Sequence, residues 1–274
     1  LAGINLQPGG WDATEGTLDD VLISDVTMHN VSTPFHFTLK SGNTAGNIIV
    51  NRVTATGVYR AASAVESWAQ TKFTNVVFRD VTIEYKGGGT LEDASRAVKS
   101  PGVDARPLPA WGFHARNVQN LQFDNVRLRF EKEDLRPVLI CTGVDRLILE
   151  DFKFPLLPEA PEAMVLNDTM HVRLHNVDFP MVNPRCTELK LLADDTIGRI
   201  ISGKPYRANV TVENGKQEGV AKIELAVAGQ KKTRWLWLRA GEKKDLVFKE
   251  LTAPDAGTYQ VQCGDIKQNL QVER

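Results

Sequence analysis

A nine-residue pattern recurs six times in the first two-thirds of the sequence and constrains the fold more than any other feature. Each copy reads polar, apolar, any, apolar, polar, polar, apolar, any, apolar. The copies are 20–28, 47–55, 75–83, 120–128, 146–154 and 171–179. Their first apolar residues are separated by 27, 28, 45, 26 and 25 residues. The pattern predicts one structural unit that repeats about every 26 residues.

Within each copy, the central polar pair separates two short apolar strands. Side chains two residues apart point to the same side of a strand, so Val21 and Ile23 share one side. The step of three residues from Ile23 to Val26 predicts a corner between them. Strands around a corner at this period are typical of one coil of a parallel β-helix. A propeller blade needs about 40 residues and an α-solenoid shows a period of about 3.6 residues, so neither fits.

A further strand lies between successive copies and keeps the same rhythm. These strand segments are 3–7, 34–39, 61–68, 110–116, 137–141 and 163–167. Phe113, Leu139 and Val165 are each 26 residues apart, which predicts that they stack on one another. Three strands per coil predict a helix with three sheets, and we assign residues 1–197 to it.

Residues 86–109 form an insertion that accounts for the one long interval in the repeat. The insertion is rich in Gly and Pro, carries charges of both signs and has no apolar period. We interpret it as a long surface loop. Long loops on rigid scaffolds often carry function, so two interpretations stay open. The loop is either a wall of a substrate cleft or a tolerated decoration.

The rhythm of the repeat ends at Asp194-Asp195, and residues 198–274 show shorter strands with hairpin spacing. Six or seven strands in this length predict a small immunoglobulin-like β-sandwich. Four short segments of this region resemble bacterial adhesion-related modules of the CARDB type. They are 203–204, 210–214, 240–242 and 257–259. This resemblance implies an extracellular spacer without catalytic function.

Charge and cysteine content exclude several classes of protein. The 33 Lys and Arg residues balance 34 Asp and Glu residues, so the chain as a whole is not a strongly basic nucleic-acid binder. No apolar run approaches the roughly 20 residues of a membrane-spanning helix. Cys141, Cys186 and Cys263 are widely spaced, which is typical of neither a disulfide framework nor a metal site. We interpret them as small buried apolar residues.

Residues 1–180 resemble glycoside hydrolase family 28, the polygalacturonase-like enzymes. The likeness is carried by the repeated Asn-Val-x-Phe-x-Asp-Val coils and by three segments, 83–89, 108–116 and 130–138. It implies a right-handed parallel β-helix and an inverting hydrolysis of pectic glycosides, for which we expect no cofactor and no metal. The predicted fold is therefore all-β, with a right-handed parallel β-helix followed by the immunoglobulin-like sandwich.

The catalytic motifs of that family are missing from this sequence. The family places its catalytic Asp residues in Asn-Thr-Asp and Asp-Asp motifs that precede a Gly-His-Gly motif. Asp19-Asp20 and Asp194-Asp195 stand in other contexts, and we interpret both as solvated turns. The chain also begins at Leu1 in the middle of the repeat pattern. We therefore expect a β-helix truncated at its N-terminal side, with the catalytic carboxylates upstream of Leu1.

The family's Arg-Ile-Lys motif, which binds the substrate carboxylate, falls by position on Asn5-Leu6-Gln7. Asn and Gln hydrogen-bond hydroxyl groups, but they do not pair with a carboxylate as Arg and Lys do. The departure favours a neutral or differently linked sugar at this subsite.

The substrate cleft of the family lies over the sheet that contains residues 3–7. Alternation along the strands directs Ile4, Phe35 and Phe37 inward and the residues between them outward. Aromatic rings that stack on sugars and polar groups that select hydroxyls suit such a face. The predicted substrate-binding residues are Asn5, Gln7, Trp11, His36, Glu66, Trp68, Trp111, His114 and Arg116.

Some of these residues also have a purely structural interpretation. His114 fits a hydrogen-bonded surface histidine, and Trp68 fits a cover over the edge of the stack. Glu66 could act as a local acid, although general acid–base work on a glycoside needs a second carboxylate.

Three functions remain open at this point. The leading hypothesis is the C-terminal portion of a secreted glycoside hydrolase, extracellular or periplasmic, that cleaves pectin-like plant polysaccharide and is a monomer at full length. The second is a polysaccharide lyase on the same fold, and the third is a non-catalytic, carbohydrate-binding β-helix adhesin. We expect a polysaccharide or oligosaccharide partner, no nucleic acid and no membrane span.

Overall fold

A computed structural model describes residues 1–10, 15–40, 42–177, 180–193 and 199–274. The chain divides into two compact units, Leu1–Asp178 and Phe179–Arg274. The described residues include no helix that is long and apolar enough to cross a membrane. Trp11 and the Asp194-Asp195 pair lie outside the described residues.

The first unit is a parallel β-solenoid of about six turns, as predicted. Its strands and short helix, in the part of the chain that the structure describes, are β1 (Ala2–Leu6), β2 (Thr17–Leu18), β3 (Val21–His29), β4 (Thr33–Leu39), β5 (Thr44–Ala45), β6 (Ile48–Val58), β7 (Ser63–Ser67), β8 (Phe73–Gly87), α1 (Leu91–Ala94), β9 (Phe113–Lys132), β10 (Leu139–Lys153), β11 (Met164–Asn167) and β12 (Val172–His175).

The repeat found in the sequence sets the register of the solenoid. Each first anchor pairs with the next in parallel, from Val21 with Ile48 through to Leu147 with Val172. The third set of strands forms a further sheet, in the order β1, β4, β7, β9, β10 and β11. In that sheet Leu139 pairs with Met164, and Val165 pairs with Ile140. The predicted stacking of Val165 on Leu139 is therefore wrong by one residue, because this coil is one residue shorter.

The corners predicted at the polar pairs are visible in the backbone. The sixth residue of every copy has a left-handed φ between 48° and 59°. These residues are Asp25, Arg52, Asp80, Asn125, Asp151 and Asn176. Asp and Asn tolerate this conformation better than other non-glycine residues, which explains why five of the six positions carry Asp or Asn.

Side chains at the corners also connect one coil to the next. Asn125 donates a hydrogen bond to Asp80 at 2.6 Å, and Arg52 pairs with Asp25 at 2.6 Å. At the first position of the copies, Asn120 donates to Asn75 at 2.6 Å. Equivalent positions on successive coils therefore form ladders of polar contacts along the solenoid.

Stacked phenylalanines fill the interior of the solenoid. Phe78 lies parallel to Phe123, with ring centroids 5.3 Å apart, and Phe113 meets Phe123 edge-on at 4.8 Å. Phe35 and Phe37 are fully buried in the same stack, as the alternation predicted. Burial of whole aromatic rings from several coils is the main source of stability expected for this unit.

Within the described residues, the second unit contains eight strands, which form two antiparallel sheets and a short parallel pair. They are β13 (Met181–Val182), β14 (Arg185–Ala193), β15 (Tyr206–Glu213), β16 (Gly219–Val227), β17 (Gln230–Leu238), β18 (Lys243–Leu251), β19 (Gly257–Cys263) and β20 (Ile266–Val272). One sheet has the order β14-β15-β18, and the other has the order β17-β16-β19-β20. A single hydrophobic core, which includes Tyr206, Leu225 and Phe248, contains residues from both sheets.

The predicted boundary at residue 197 lies too far along the chain. Residues Arg185–Ala193 pair in antiparallel register with Tyr206–Glu213, so they belong to the second unit. In the sequence, β14 shows the alternating apolar residues of a solenoid strand. Only its pairing with β15 shows that it belongs to the second unit. The immunoglobulin-like topology stays a prediction at this point.

The insertion, residues 86–109, which we call the strap, is docked onto the solenoid. Thr90 caps the four-residue helix α1 through reciprocal hydrogen bonds with Asp93. Leu108 packs with Ala64, Ile140 and Val165 on the outer side of the β1–β11 sheet. The strap is therefore the long surface loop that its composition predicted, with its C-terminal part packed against the solenoid.

Candidate functional site

Five of the nine predicted substrate-binding residues lie in two rows on the outer side of the sheet formed by β1, β4, β7, β9, β10 and β11. They are Asn5, His36, Glu66, His114 and Arg116. The first row is Asn5, His36, Ala64, His114, Ile140 and Val165. The second row is Thr38, Glu66, Arg116, Thr142 and Asn167. Alternation along each strand places both rows opposite the phenylalanine core. The sequence thus predicted the alignment of these side chains.

Much of this outer face is covered, contrary to the expectation of an open cleft. His36, Glu66 and His114 are 1%, 0% and 4% exposed. The strap lies over them, and the Gln7 amide donates hydrogen bonds to the backbone carbonyls of Gly102 and Val103. Asn5, at the start of the first row, remains exposed. The predicted residues therefore divide into a covered group and an accessible group.

Glu66 is the centre of the covered group. Arg106, from the strap, donates a hydrogen bond to Glu66 Oε2 at 2.7 Å, and Trp68 Nε1 donates to the same oxygen at 3.2 Å. His114 Nδ1 lies 2.6 Å from Glu66 Oε1, in close polar contact. Both carboxylate oxygens are therefore engaged.

These partners keep Glu66 ionised. Burial raises the pKa of the carboxyl, but the contacts with His114 and Arg106 more than offset it and lower the pKa to about 2. A general acid must hold a proton near the working pH, whereas Glu66 has lost its proton far below neutrality. The structure therefore removes Glu66 as a local acid and gives it the role of anchoring the strap.

Trp68 and Arg116 form the accessible end of the site beside the strap. The Arg116 guanidinium lies 4.5 Å from the centroid of the Trp68 ring. Both side chains are partly exposed. Among the described residues, Arg116 has no carboxylate within ion-pair distance. The hydrogen bond from Trp68 Nε1 to Glu66 fixes the orientation of the indole ring. The Trp68 ring and the Arg116 guanidinium therefore form a preorganised pair.

Several polar atoms beneath the strap lack hydrogen-bond partners within the described structure. The His36 Nε2 and Thr38 Oγ1 atoms are buried without a hydrogen bond. Burial lowers the pKa of His36, and Arg106 acts in the same direction, while Glu66 and Asp104 oppose it. His36 is therefore held as the neutral imidazole at neutral pH.

Trp111 lies outside the two rows. Its ring is 3% exposed and packs edge-on against Tyr85 and Phe130, with centroid distances of 5.7 and 5.1 Å. The ring is therefore engaged in packing, and stacking of Trp111 on a sugar stays a prediction. Trp11 lies outside the described residues, so its role stays a prediction.

Three residues that hold the strap were missed from the sequence. Arg106 lies within the strap. The strap is outside the repeat, so the repeat pattern does not indicate which residues Arg106 contacts. Asp134 is fully buried, accepts from the Gly89 amide at 3.0 Å and pairs with Arg136 at 2.6 Å. Arg136 in turn donates to the Leu108 carbonyl at 3.1 Å. Asp134 and Arg136 thus fix both ends of the strap. The one indication of them in the sequence was that both lie in segment 130–138, one of the three segments singled out in the sequence analysis.

No cluster of three or more His, Cys, Asp or Glu side chains suited to a metal ion occurs within the residues that the structure describes. A comparison of the chain with protein-family models finds no match, and a comparison with curated proteins finds no significant relative. The parallel β-solenoid and the geometry of its outer face are therefore the basis for assigning a function.

Proposed function

We propose that this chain is the substrate-binding part of a glycoside hydrolase that acts by inversion on pectin-like plant polysaccharide. The observation that carries the proposal is the Trp68–Arg116 pair beside the strap. An aromatic ring offers a stacking surface to a sugar, and an Arg without an acidic partner suits the carboxylate of a uronic acid. Pectin-like polysaccharides are rich in such sugars.

The accessible residues extend across several coils. Asn5 lies on β1 and Arg116 on β9, with β4 and β7 between them. Neighbouring strands are about 4.8 Å apart, so the two positions are separated by roughly 14 Å across the sheet. That span suits an oligosaccharide that runs along the strap, with a hydroxyl-binding subsite at Asn5 and an acidic sugar at Arg116.

The proposal assigns catalysis to carboxylates outside the described residues. An inverting enzyme needs two carboxyl groups about 6.5–9.5 Å apart. Glu66 is the one carboxylate in the two outer rows, and its ion pairs keep it deprotonated. Binding and positioning are therefore the roles that we assign to this chain, in an extracellular or periplasmic protein that is a monomer.

We further propose that the second unit is an immunoglobulin-like spacer of the CARDB type. Support comes from the order of its strands, because consecutive strands repeatedly change sheet. β15 and β16 lie in different sheets, as do β17 and β18, and β18 and β19. Two antiparallel sheets around one core with this alternation are typical of such sandwiches.

A non-catalytic carbohydrate-binding protein is the second candidate. This candidate is favoured because neighbouring side chains contact both oxygens of the Glu66 carboxylate. A binding protein needs a stable aromatic and cationic surface and no acid–base pair. Both candidates predict sugar binding, but only the hydrolase predicts cleavage of the glycosidic bond.

The test combines binding by this chain with hydrolysis by the full-length parent protein. Calorimetry with polygalacturonate and rhamnogalacturonan oligosaccharides measures binding, and reducing-sugar release measures cleavage. Arg116→Gln is expected to weaken binding of acidic oligosaccharides at least about tenfold. Arg127→Gln, on the exposed side of the same strand, is the matched control and should bind as the wild type does.

Each outcome decides between the candidates. Cleavage together with the Arg116→Gln effect supports the hydrolase, and binding without cleavage supports the binding protein. Absence of binding to every oligosaccharide in the panel, with a folded protein, would overturn both.

A further inference from the structure

We infer that Cys186 and Cys263 form an intramolecular disulfide when the protein meets a disulfide oxidant. Cys186 lies on β14 and Cys263 ends β19, so the bond would join the two sheets of the second unit. This cross-link differs from the interpretation of the cysteines as inert apolar residues. It is independent of the proposed function.

The two cysteines face each other across shared space. Both side chains line one cavity of about 220 Å³, where each influences the pKa of the other thiol. The backbone after Cys263 also runs close to β14, since a methyl group in place of the Gly264 hydrogen would lie 3.5 Å from Cys186 Cβ. Cys263 directly precedes Gly264, and its side chain lines the same cavity as that of Cys186. We therefore expect rotation of the two side chains to bring the sulfur atoms together, with the Cβ separation of about 3.5–4.5 Å that a disulfide needs.

The third cysteine lies in a different environment. Cys141 belongs to the solenoid unit and is fully buried in its core. Burial raises its pKa, which keeps it as an unreactive thiol. Cys141 therefore serves as an internal reference that should stay reduced when the other two are oxidised.

The difference in exposure between the two cysteines indicates which thiol reacts first. Cys186 is partly exposed at the cavity, whereas Cys263 is buried. Burial raises the pKa of both thiols, and on Cys186 the contact with Cys263 acts in the opposite direction. The nucleophile is the thiolate, so we assign Cys186 as the attacking thiol and Cys263 as the resolving thiol.

The reaction balances with a small disulfide such as oxidised glutathione. The Cys186 thiolate attacks one glutathione sulfur, and the first glutathione leaves as a thiolate that takes up the proton from Cys186. The Cys263 thiolate then attacks Cys186 Sγ in the mixed disulfide, and the second glutathione leaves with the remaining proton. Two protein thiols are oxidised and one glutathione disulfide is reduced to two thiols.

The experiment treats the purified full chain with oxidised glutathione or with a phosphine reductant, and then alkylates it in denaturant. Reduced protein should show three alkylated cysteines, and oxidised protein should show one, Cys141. Peptide mapping should recover a linked pair that contains Cys186 and Cys263. The oxidised protein should also melt at least about 5 °C higher than the reduced protein, because the bond closes a long loop.

Variants keep the inference falsifiable. Cys141→Ser should retain the cross-link, and Cys186→Ser should abolish it while circular dichroism shows the same β content. Three alkylated cysteines after oxidation, a bond that involves Cys141, or glutathione that stays attached to Cys186 would each overturn the inference. Faster formation of the bond as the pH rises would support the thiolate step.

Discussion

Glu66 shows how a single buried side chain fixes the geometry of the outer face. It contacts Arg106 from the strap, Trp68 from its own coil and His114 from the next coil. A fully buried carboxylate is tolerated only with such partners, because desolvation of an unpaired charge costs several kcal/mol. The residue that looked like a possible acid in the sequence is therefore a positioning residue.

We predict that Glu66→Gln lowers the free energy of unfolding by about 3 kcal/mol, because Arg106 and His114 lose their buried partner. Glu84→Gln is the control, since Glu84 pairs with Arg129 at the surface and such pairs contribute less than about 1 kcal/mol. Urea unfolding measures both. Equal losses in the two variants would contradict the role of Glu66.

A second residue-scale prediction concerns His36 and pH. Its pKa is lowered in the folded state, so the stability that it contributes is complete above the ordinary value of 6.5 and is lost as the pH falls below that value. The unfolding midpoint should therefore decrease from pH 7 to pH 5. His36→Gln should reduce this slope, whereas His29→Gln, at an exposed histidine, should keep it. An unchanged slope in His36→Gln would disprove the assignment.

The corner is the element that repeats most faithfully along the solenoid. Each corner needs one residue with left-handed φ, and the polar residue found there also reaches the neighbouring coil. Conformation and cross-coil contact together explain why a short polar residue stands at five of the six corners. Arg52 is the exception, and it replaces the short side chain with an ion pair to Asp25.

We predict that Asn125→Val destabilises the solenoid by about 2 kcal/mol, since a β-branched residue is strained at a φ of 52°. Asn125→Gly relieves that strain but loses the hydrogen bond to Asp80, so its cost should be about 1 kcal/mol or less. Thermal unfolding ranks the two variants. A glycine variant less stable than the valine variant would show that the side-chain contact outweighs the conformation.

The strap is the other element whose behaviour follows from named contacts. Asp134→Ala should free the Gly89 end of the strap and leave Arg136 without its partner. We expect trypsin to cleave at the basic residues of the strap at least about tenfold faster in this variant. Asp124→Ala, which removes a surface partner of Arg79, should leave the rate unchanged. Cleavage outside residues 86–109 would argue against a local release.

At the scale of the whole molecule, the two units have separate cores. Residues 180–274 bury Tyr206, Phe248 and Leu225 among their own strands. We predict that this segment, produced alone, shows the circular dichroism of antiparallel β-structure and melts cooperatively. Phe248→Ala should destabilise it by about 3–5 kcal/mol. A segment that stays unfolded alone would mean that its stability depends on the solenoid.

The sequence by itself determined the period, the strands and the corners of the solenoid. These features are local, and each coil pairs with a neighbour of the same pattern, so the anchors Val21, Ile48 and Val76 predict their own partners. The sequence also placed the outer rows, because alternation along a strand fixes the side to which each residue points. It identified Glu66, His114, Trp68 and Arg116 as neighbours for this reason.

Only the tertiary structure decided which of those residues are covered. Arg106 reaches Glu66 across 40 positions in the sequence, and Gln7 reaches Gly102 across 95, with no repeat to indicate either contact. Likewise β14 joined the second unit, since alternation defines a strand but not its partner. Periodic contacts follow from the pattern, whereas the docking of an irregular segment depends on the three-dimensional surface that the other coils create.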